Sequence, residues 1–363
     1  MIDKKVYIKN FGDTLIFDEF NPIWEDSSRR NFLKSSIVKI LAFSTAGVYC
    51  SQKKQPQKGK ITNGKHHYLT REKTHNRWNK DIPPILKINS NDIVTIETKE
   101  ASDGDITPKS TSKDAENRDL SKVHPLTGPI YIEEAEPGDV LQIDILKYEL
   151  EDWGWTIISK GRGFLPEDFL NEYLKIWKFD KNKEYAECKK GIRIKLEPFC
   201  GIMGVAWEEL GEFRTFPPGK NGGNMDVKHL TAGATLYLPV FVKGALFSAG
   251  DGHAAQGDGE VCVSAIETDL KVTLRFSIRK DFSIEEPQYE NNLFYATTGF
   301  GKTIEEAAKK ATRFMIKHLS KNFKLTPEEA YVLCSVAMDL KICEVVDLPH
   351  YLVSAHIPKN IFV

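Results

Sequence analysis

The sequence predicts an α+β fold: a β-rich body of antiparallel strands, sandwich- or barrel-like, with a C-terminal helical layer. Three observations predict it. Apolar and polar residues alternate with a period of two from about Ile85 onward, Gly/Pro/Asn clusters separate the alternating stretches, and helical stripes come late, after Lys302.

The first alternating stretch is DIVTIET, Asp92 to Thr98. GDVLQIDIL follows the turn signal EPGD, Glu136 to Asp139, and GIRIKLEPF opens at Gly191. TLYLPVFV, Thr235 to Val242, is nearly continuous in apolar residues, as a strand covered on both faces would be; its Pro239 suggests an edge or a bulge. In LKVTLRFSIRK, Val272, Leu274, Phe276 and Ile278 face one way and Thr273, Arg275, Ser277 and Arg279 the other. That is a half-buried antiparallel strand.

KTIEEAAKKATRFMIKHLS, from Lys302, repeats apolar residues at Ile304, Ala307, Ala308, Ala311, Phe314, Met315 and Leu319, a helical stripe. In TPEEAYVLCSVAMDL, Thr326 can cap, Pro327 suits the first helical position and Glu329 can reach back to the cap amide. Helices are therefore expected mainly within 303–340, packed on the sheet.

The 363 residues suffice for one large domain or two ordinary ones. Fifty basic against fifty-one acidic residues leave no basic surplus for nucleic acid or an anionic membrane. Near the N-terminus, SRRNFLK (Ser28 to Lys34) precedes a short, mildly apolar run ending at Cys50 and then the polar SQKKQPQKGK. A twin arginine before such a run is the pattern of a twin-arginine export signal. Residues 1–58 are expected to be signal and linker outside the fold, with 59–363 the folded domain. The expected location is periplasmic, with the twin-arginine translocase as a partner and Cys50 a candidate for lipidation. The five later cysteines form no CxxC pair or Cys/His cluster, so buried free thiols are expected.

The stretch FSAGDGHAAQGDGE, Phe247 to Glu260, places four ionisable side chains among four glycines on what reads as a hairpin. Side chains two apart on a strand share a face, so Asp251 converges with His253, and Asp258 with Glu260. Asp-x-His offers one oxygen and one nitrogen to a divalent ion. NGGNMDVKHL delivers Asp226 after another glycine turn, and VHPLTGPIYI delivers His124. Donors from three turns of one β body are what a single mixed-ligand site requires.

Four long stretches then carry a resemblance. HPLTGPIYIEEAEPGDVL, WGWTIISKGRGFLPEDF, the run from Asn221 to Val261, and EEAYVLCSVAMDLKICEVVDLPHYLVSA closely resemble the acetamidase/formamidase family, in the same order, from about Asn89 to the C-terminus. The resemblance implies hydrolysis of formamide or acetamide to the carboxylate and ammonia, on a β-rich fold that binds zinc first of all or calcium. Carried over by position, Asp226, Asp251 and His253 become metal ligands, Glu260 the acid/base with Asp258 as its neighbour, and His124 a catalytic candidate. Asn221, Asn224, Glu97 and Glu100 are placed at the substrate pocket. ETKEASDGDI departs from the family: Glu100 stands for an aspartate and Asp105 for a glutamine.

A metal ion would polarise the amide carbonyl and acidify its bound water, and a Glu260 carboxylate would carry the proton to the leaving amine. Two other readings share the pattern: an exported small-molecule binding protein with structural calcium, and a hydrolase of a bulkier amide or cyclic imide. Exposed strand edges point to a homo-oligomer.

Overall fold

The computed structural model describes residues 64–363. The twin-arginine segment and Cys50 lie outside the described residues.

Two sheets make the body. The larger has nine strands, running in space from His66–Leu69 through Ile93–Thr98, Leu270–Arg279, Val140–Leu150, Thr235–Pro239, Gln288–Glu290, Phe294–Gly301 and Tyr351–Pro358 to Asp339–Glu344. The second centres on Phe247–His253, flanked by Phe199–Gly204 and Leu126–Ile132, with Gly222–Asn224 at one edge. Pairing is antiparallel apart from His66–Leu69 on Ile93–Thr98 and Leu86–Ile88 on Leu126–Ile132.

Inward-facing side chains of both sheets share one core. Val94, Ile96, Leu141, Ile143, Leu274 and Phe276 of the larger sheet meet Ile130, Met203, Phe247 and Ala249 of the smaller. Phe247 and Phe276 touch edge to face, with ring centroids 5.1 Å apart. The period of two thus marks a sandwich with its apolar residues between the layers.

Helices α1 (Ser112–Glu116), α2 (Ile304–Phe323) and α3 (Pro327–Ala337) are the α-helices of the described residues. The cap of α3 forms as its sequence specifies: Thr326 Oγ1 accepts from Glu329 N, and the Glu329 carboxylate accepts from Thr326 N. Ala311, Met315 and Leu319 of α2 and Ala330 and Cys334 of α3 cover Ala355 and Ile357 of the sheet.

Three local readings are corrected. Thr235–Pro239 is an interior strand, and Pro239 is its last residue, where the ring interrupts no further ladder. GIRIKLEPF divides: Ile192–Lys195 pairs outside the core with Tyr185–Lys189, whereas Phe199 opens a fully buried strand. The segment from Phe247 is not a loose hairpin; Phe247–His253 is buried along its whole length at the middle of the second sheet.

Candidate active site

The C-terminal end of the central strand Phe247–His253 builds the site. Asp251 and His253 sit on it, both nearly inaccessible to solvent. Asp226 arrives after Gly222–Asn224, and its amide N–H, like that of Met225, donates to Gly201 O on the neighbouring strand. Glu260 arrives on the turn after that strand. Gly259 N donates to Cys343 O and accepts, through its own carbonyl, from Val345 N.

Asp226, Asp251 and Glu260 all have positive φ, at 46°, 57° and 46°. A non-glycine residue there costs on the order of 1 kcal/mol or more, and such strain clusters at functional sites.

These side chains converge on one space. His253 Nε2 lies 3.4 Å from Asp251 Oδ2 and 3.2 Å from Glu267 Oε1, and Nδ1 lies 3.6 Å from Asp226 Oδ1. Two donor triads with mutually close ligand atoms share His253: Asp226 with Glu260, and Asp251 with Glu267. A Cβ on Gly201 would stand 2.5 Å from Asp226 Oδ1, 2.6 Å from Asp251 Oδ2 and 2.7 Å from His253 Cε1. Only glycine leaves that space clear.

The residues fit a divalent cation on three observations. Both Asp226 carboxylate oxygens, Asp251 Oδ1, Glu267 Oε2 and His253 Nε2 are buried without a hydrogen-bond partner, which is costly unless something else satisfies them. The Nε2 separations match the edge of about 3.3 Å expected between donors around an ion with bonds of about 2.0–2.1 Å. And Gln256 fixes the imidazole: its Nε2 donates to Asp226 O at 2.8 Å, which turns Oε1 to His253 Nδ1 at 3.0 Å. The Nδ1–H therefore donates to Gln256, so Nε2 is the nitrogen that would meet an ion.

The electrostatics agree. Burial disfavours an imidazolium at His253, yet the Glu267 and Asp251 carboxylates outweigh it and hold its pKa well above the ordinary value. Against burial, the same histidine holds Asp251 down at about 2. Burial pushes Asp226 up to about 6 and Glu267 to about 8. It raises Glu260 well above the usual carboxylate range, with the Asp226 charge adding to it. Carboxylates gathered out of water in this way suit a cation.

A cavity of about 50 Å³ opens beside the cluster, lined by His124, Asn224, Asp226, Asp251, Glu260 and Glu267 among others. A groove of about 780 Å³ shares Glu260 and Ser264 with it. His124 is buried, packs on Phe216 at 4.9 Å and has Nδ1 3.2 Å from Thr215 Oγ1; burial lowers its pKa. Asn224 donates to Asp347 Oδ2 at 2.8 Å and Phe216 O at 3.0 Å, leaving Oδ1 without a partner.

Four expected residues stand elsewhere. Asp258 lies in the larger groove, paired with Lys228 at 3.0 Å. The turn through Gly259 (φ 97°) and Glu260 breaks strand alternation, so Asp258 and Glu260 do not share a face. Glu97 lies outside the cavity, 2.8 Å from Lys271 Nζ. Glu100 is buried behind the cavity wall, its oxygens taken by Ser102 N, Ser102 Oγ, Gly104 N and Trp155 Nε1. Asn221 holds Val205 O at 2.9 Å within the chain. Conversely, sequence reasoning missed Glu267, Glu344 and Asp347. Each is an acidic residue with apolar neighbours close by in sequence, in CVSAIETDL or KICEVVDLP. That was the available signal.

Comparison with known proteins decides the kinship. The Acetamidase/Formamidase family profile matches residues 60–210 and 207–363. The chain belongs to this family. It is similar to an acetamidase of Mycolicibacterium smegmatis, 32% identical over 247 residues, which is 52% of this chain and 61% of that protein. A formamidase of Methylophilus methylotrophus is 29% identical over 364 residues, 79% of this chain and 89% of that one. The crystal structure of an acetamidase from Bacillus halodurans superposes with a TM-score of 0.77 at 32% identity, covering 81% of this family member and 98% of that chain.

Proposed function

We propose that this chain hydrolyses a short linear amide, of the formamide or acetamide kind, to a carboxylate and ammonia. The convergence of Asp226, Asp251, Glu260 and Glu267 on His253, beside a cavity of about 50 Å³, carries this reading. Such a space suits a substrate of a few heavy atoms beside a water, since one water occupies roughly 10–15 Å³ on this measure.

His253 Nε2, Asp251, Glu267 and Asp226 would hold a divalent ion, zinc by preference, which when bound supplies Lewis-acid polarisation and a more acidic water. Asn224 Oδ1 accepts one N–H of the substrate –NH₂. Burial favours a neutral His124, and its ring, with Nδ1 3.2 Å from Thr215 Oγ1, is placed to hydrogen-bond the substrate. Polar groups held in place before the reaction stabilise the charge that develops there.

Glu260 moves the proton. Its carboxylate takes a proton from the attacking water and its carboxylic acid passes it to the departing nitrogen, so amide and water become carboxylate and ammonium. A carboxyl whose pKa is raised by burial and by Asp226 suits both steps.

The test is ammonia release from formamide, acetamide and bulkier amides. Glu260→Gln is expected to keep its melting temperature and metal content while turnover falls by roughly 10²-fold or more. Near-normal turnover of that variant would remove Glu260 from the mechanism, and no ammonia from either small amide would remove the function.

A further inference from the structure

The cavity beside the acidic cluster carries opposite charges at its two ends. Asp226, Asp251 and Glu267 are buried at the inner end. Arg162 also lines the cavity but is exposed, which puts its guanidinium at the mouth. A turn fixes that placement. Arg162 N donates to Ser159 O at 3.0 Å, and Gly161 and Gly163 on either side take φ of 73° and 83°. Phe164 N then donates to Val261 O at 2.9 Å, next to Glu260. The Arg162 guanidinium lies over the Phe216 ring, 5.4 Å from its centre, and the same ring packs on His124. Burial lowers the His124 pKa and the Arg162 charge adds to it, so that charge is felt inside the cavity. Arg118 lines the cavity too, donating to Ser159 Oγ and Ala115 O, with the Glu172 carboxylate 3.7 Å away. Two guanidinium groups thus share one carboxylate. Arg162 itself makes no ion pair or side-chain hydrogen bond among the described residues. An arginine held over a ring keeps its N–H groups free for a bidentate carboxylate.

We infer that Arg162 is a specificity-determining residue that binds a carboxylate, so that the preferred substrates are short amides with a carboxylate at the opposite end. This rests on the amidase reading of the same site. The two ends of the cavity then orient the substrate. Acids at the inner end repel an anionic tail, and the arginines draw it to the mouth, which leaves the amide facing Glu260 and His124. Hydrolysis forms a carbon–oxygen bond and breaks the amide carbon–nitrogen bond, so the products are a dicarboxylate and ammonium. Formamide and acetamide have no such tail and leave Arg162 unused.

The test compares amides matched in shape, malonamate and succinamate against malonamide and succinamide, by ammonia release from the full chain at one ionic strength. Wild type is expected to have the higher kcat/KM for the carboxylated member of each pair, by roughly tenfold, the worth of a hydrogen bond to a charged group. Arg162→Gln should cut that preference on the order of tenfold, mainly by raising KM for the carboxylated amides, as loss of uniform binding does. Arg162→Lys keeps the charge without the fork and should retain part of the preference. Arg162 is exposed, so melting temperature serves as the control for folding. A purely structural role would change both members of a pair alike. A wild type that favours the diamides, or an Arg162→Gln variant with wild-type preference, would overturn this inference, while ammonia from acetamide would leave the amidase function standing. No ammonia from any of these amides would overturn both.

Discussion

Gln256 makes two hydrogen bonds that decide what His253 can do. Its amide nitrogen is committed to Asp226 O, so its oxygen is left to accept from His253 Nδ1. Alanine there would free the imidazole to rotate or change tautomer without removing a ligand. Such supporting groups typically contribute 10–100-fold to metal affinity. With the proposed ion at this site, Gln256→Ala is expected to fold normally and to lose it at a chelator concentration roughly tenfold or more below that needed for wild type, read by elemental analysis after dialysis. Equal retention would show that the neighbouring packing, including Phe199 edge-on to the ring at 5.0 Å, orients the histidine unaided. At this scale the sequence was legible where spacing and backbone agree, as for Asp251 and His253 on one strand. It misled at Asp258, because a left-handed residue between two carboxylates cancels the two-residue period.

Among the elements, α2 lies closest to the sheet where the strand Phe294–Gly301 has glycines. A Cβ on Gly299 would stand 2.3 Å from Ala307 O and 2.6 Å from Ala311 N, both backbone atoms that no rotamer change can move. Thr297 Oγ1 on the same strand donates to Ala311 O at 2.8 Å and ties helix to strand. Gly299→Ala should push α2 outward and destabilise by about 1–3 kcal/mol, seen as a lowered urea midpoint with the m-value unchanged; no change would mean the helix yields without cost. The helical stripe and its cap were readable because both are local, and the same holds for the alternating strands. The order of strands was not, because it depends on which apolar edges meet across hundreds of residues.

For the whole molecule, acid is the revealing perturbant. Burial lowers the pKa of His356 from 6.5 to about 3, and His229 beside it adds to the effect. The ring nitrogen lies 2.7 Å from Tyr289 Oη and 2.9 Å from Ser354 Oγ. Burial lowers His75 to about 4, in a setting where Nε2 meets Ser248 Oγ at 2.7 Å. Both folded-state values lie below the unfolded one. Their stabilisation is therefore complete above pH 6.5 and is lost as pH falls from 6.5 toward 4 and 3, because the unfolded chain takes up the protons first. Together they are worth several kcal/mol, at about 1.4 kcal/mol per pKa unit. The buried carboxylates of the site act in the opposite sense over this range, so the histidine contribution is read as a difference: the urea midpoint of wild type minus that of His356→Gln should be positive at pH 8 and shrink between pH 6.5 and 4. An unchanged difference would assign the acid sensitivity to other groups.

By itself the sequence determined the fold class, the late helices and the family, along with the residue types that meet at the site. Alternation, caps and long ordered motifs are properties of neighbouring residues, so one chain carries them in full. Only the tertiary structure decided which acids share the cavity. It brought Glu267 and Asp347 to it, with Glu344 behind Asp347, and set Asp258, Glu97, Glu100 and Asn221 apart from it. The physical reason is that a carboxylate's role depends on how deeply it is buried and which charges face it, and both are fixed by chain segments far away in sequence.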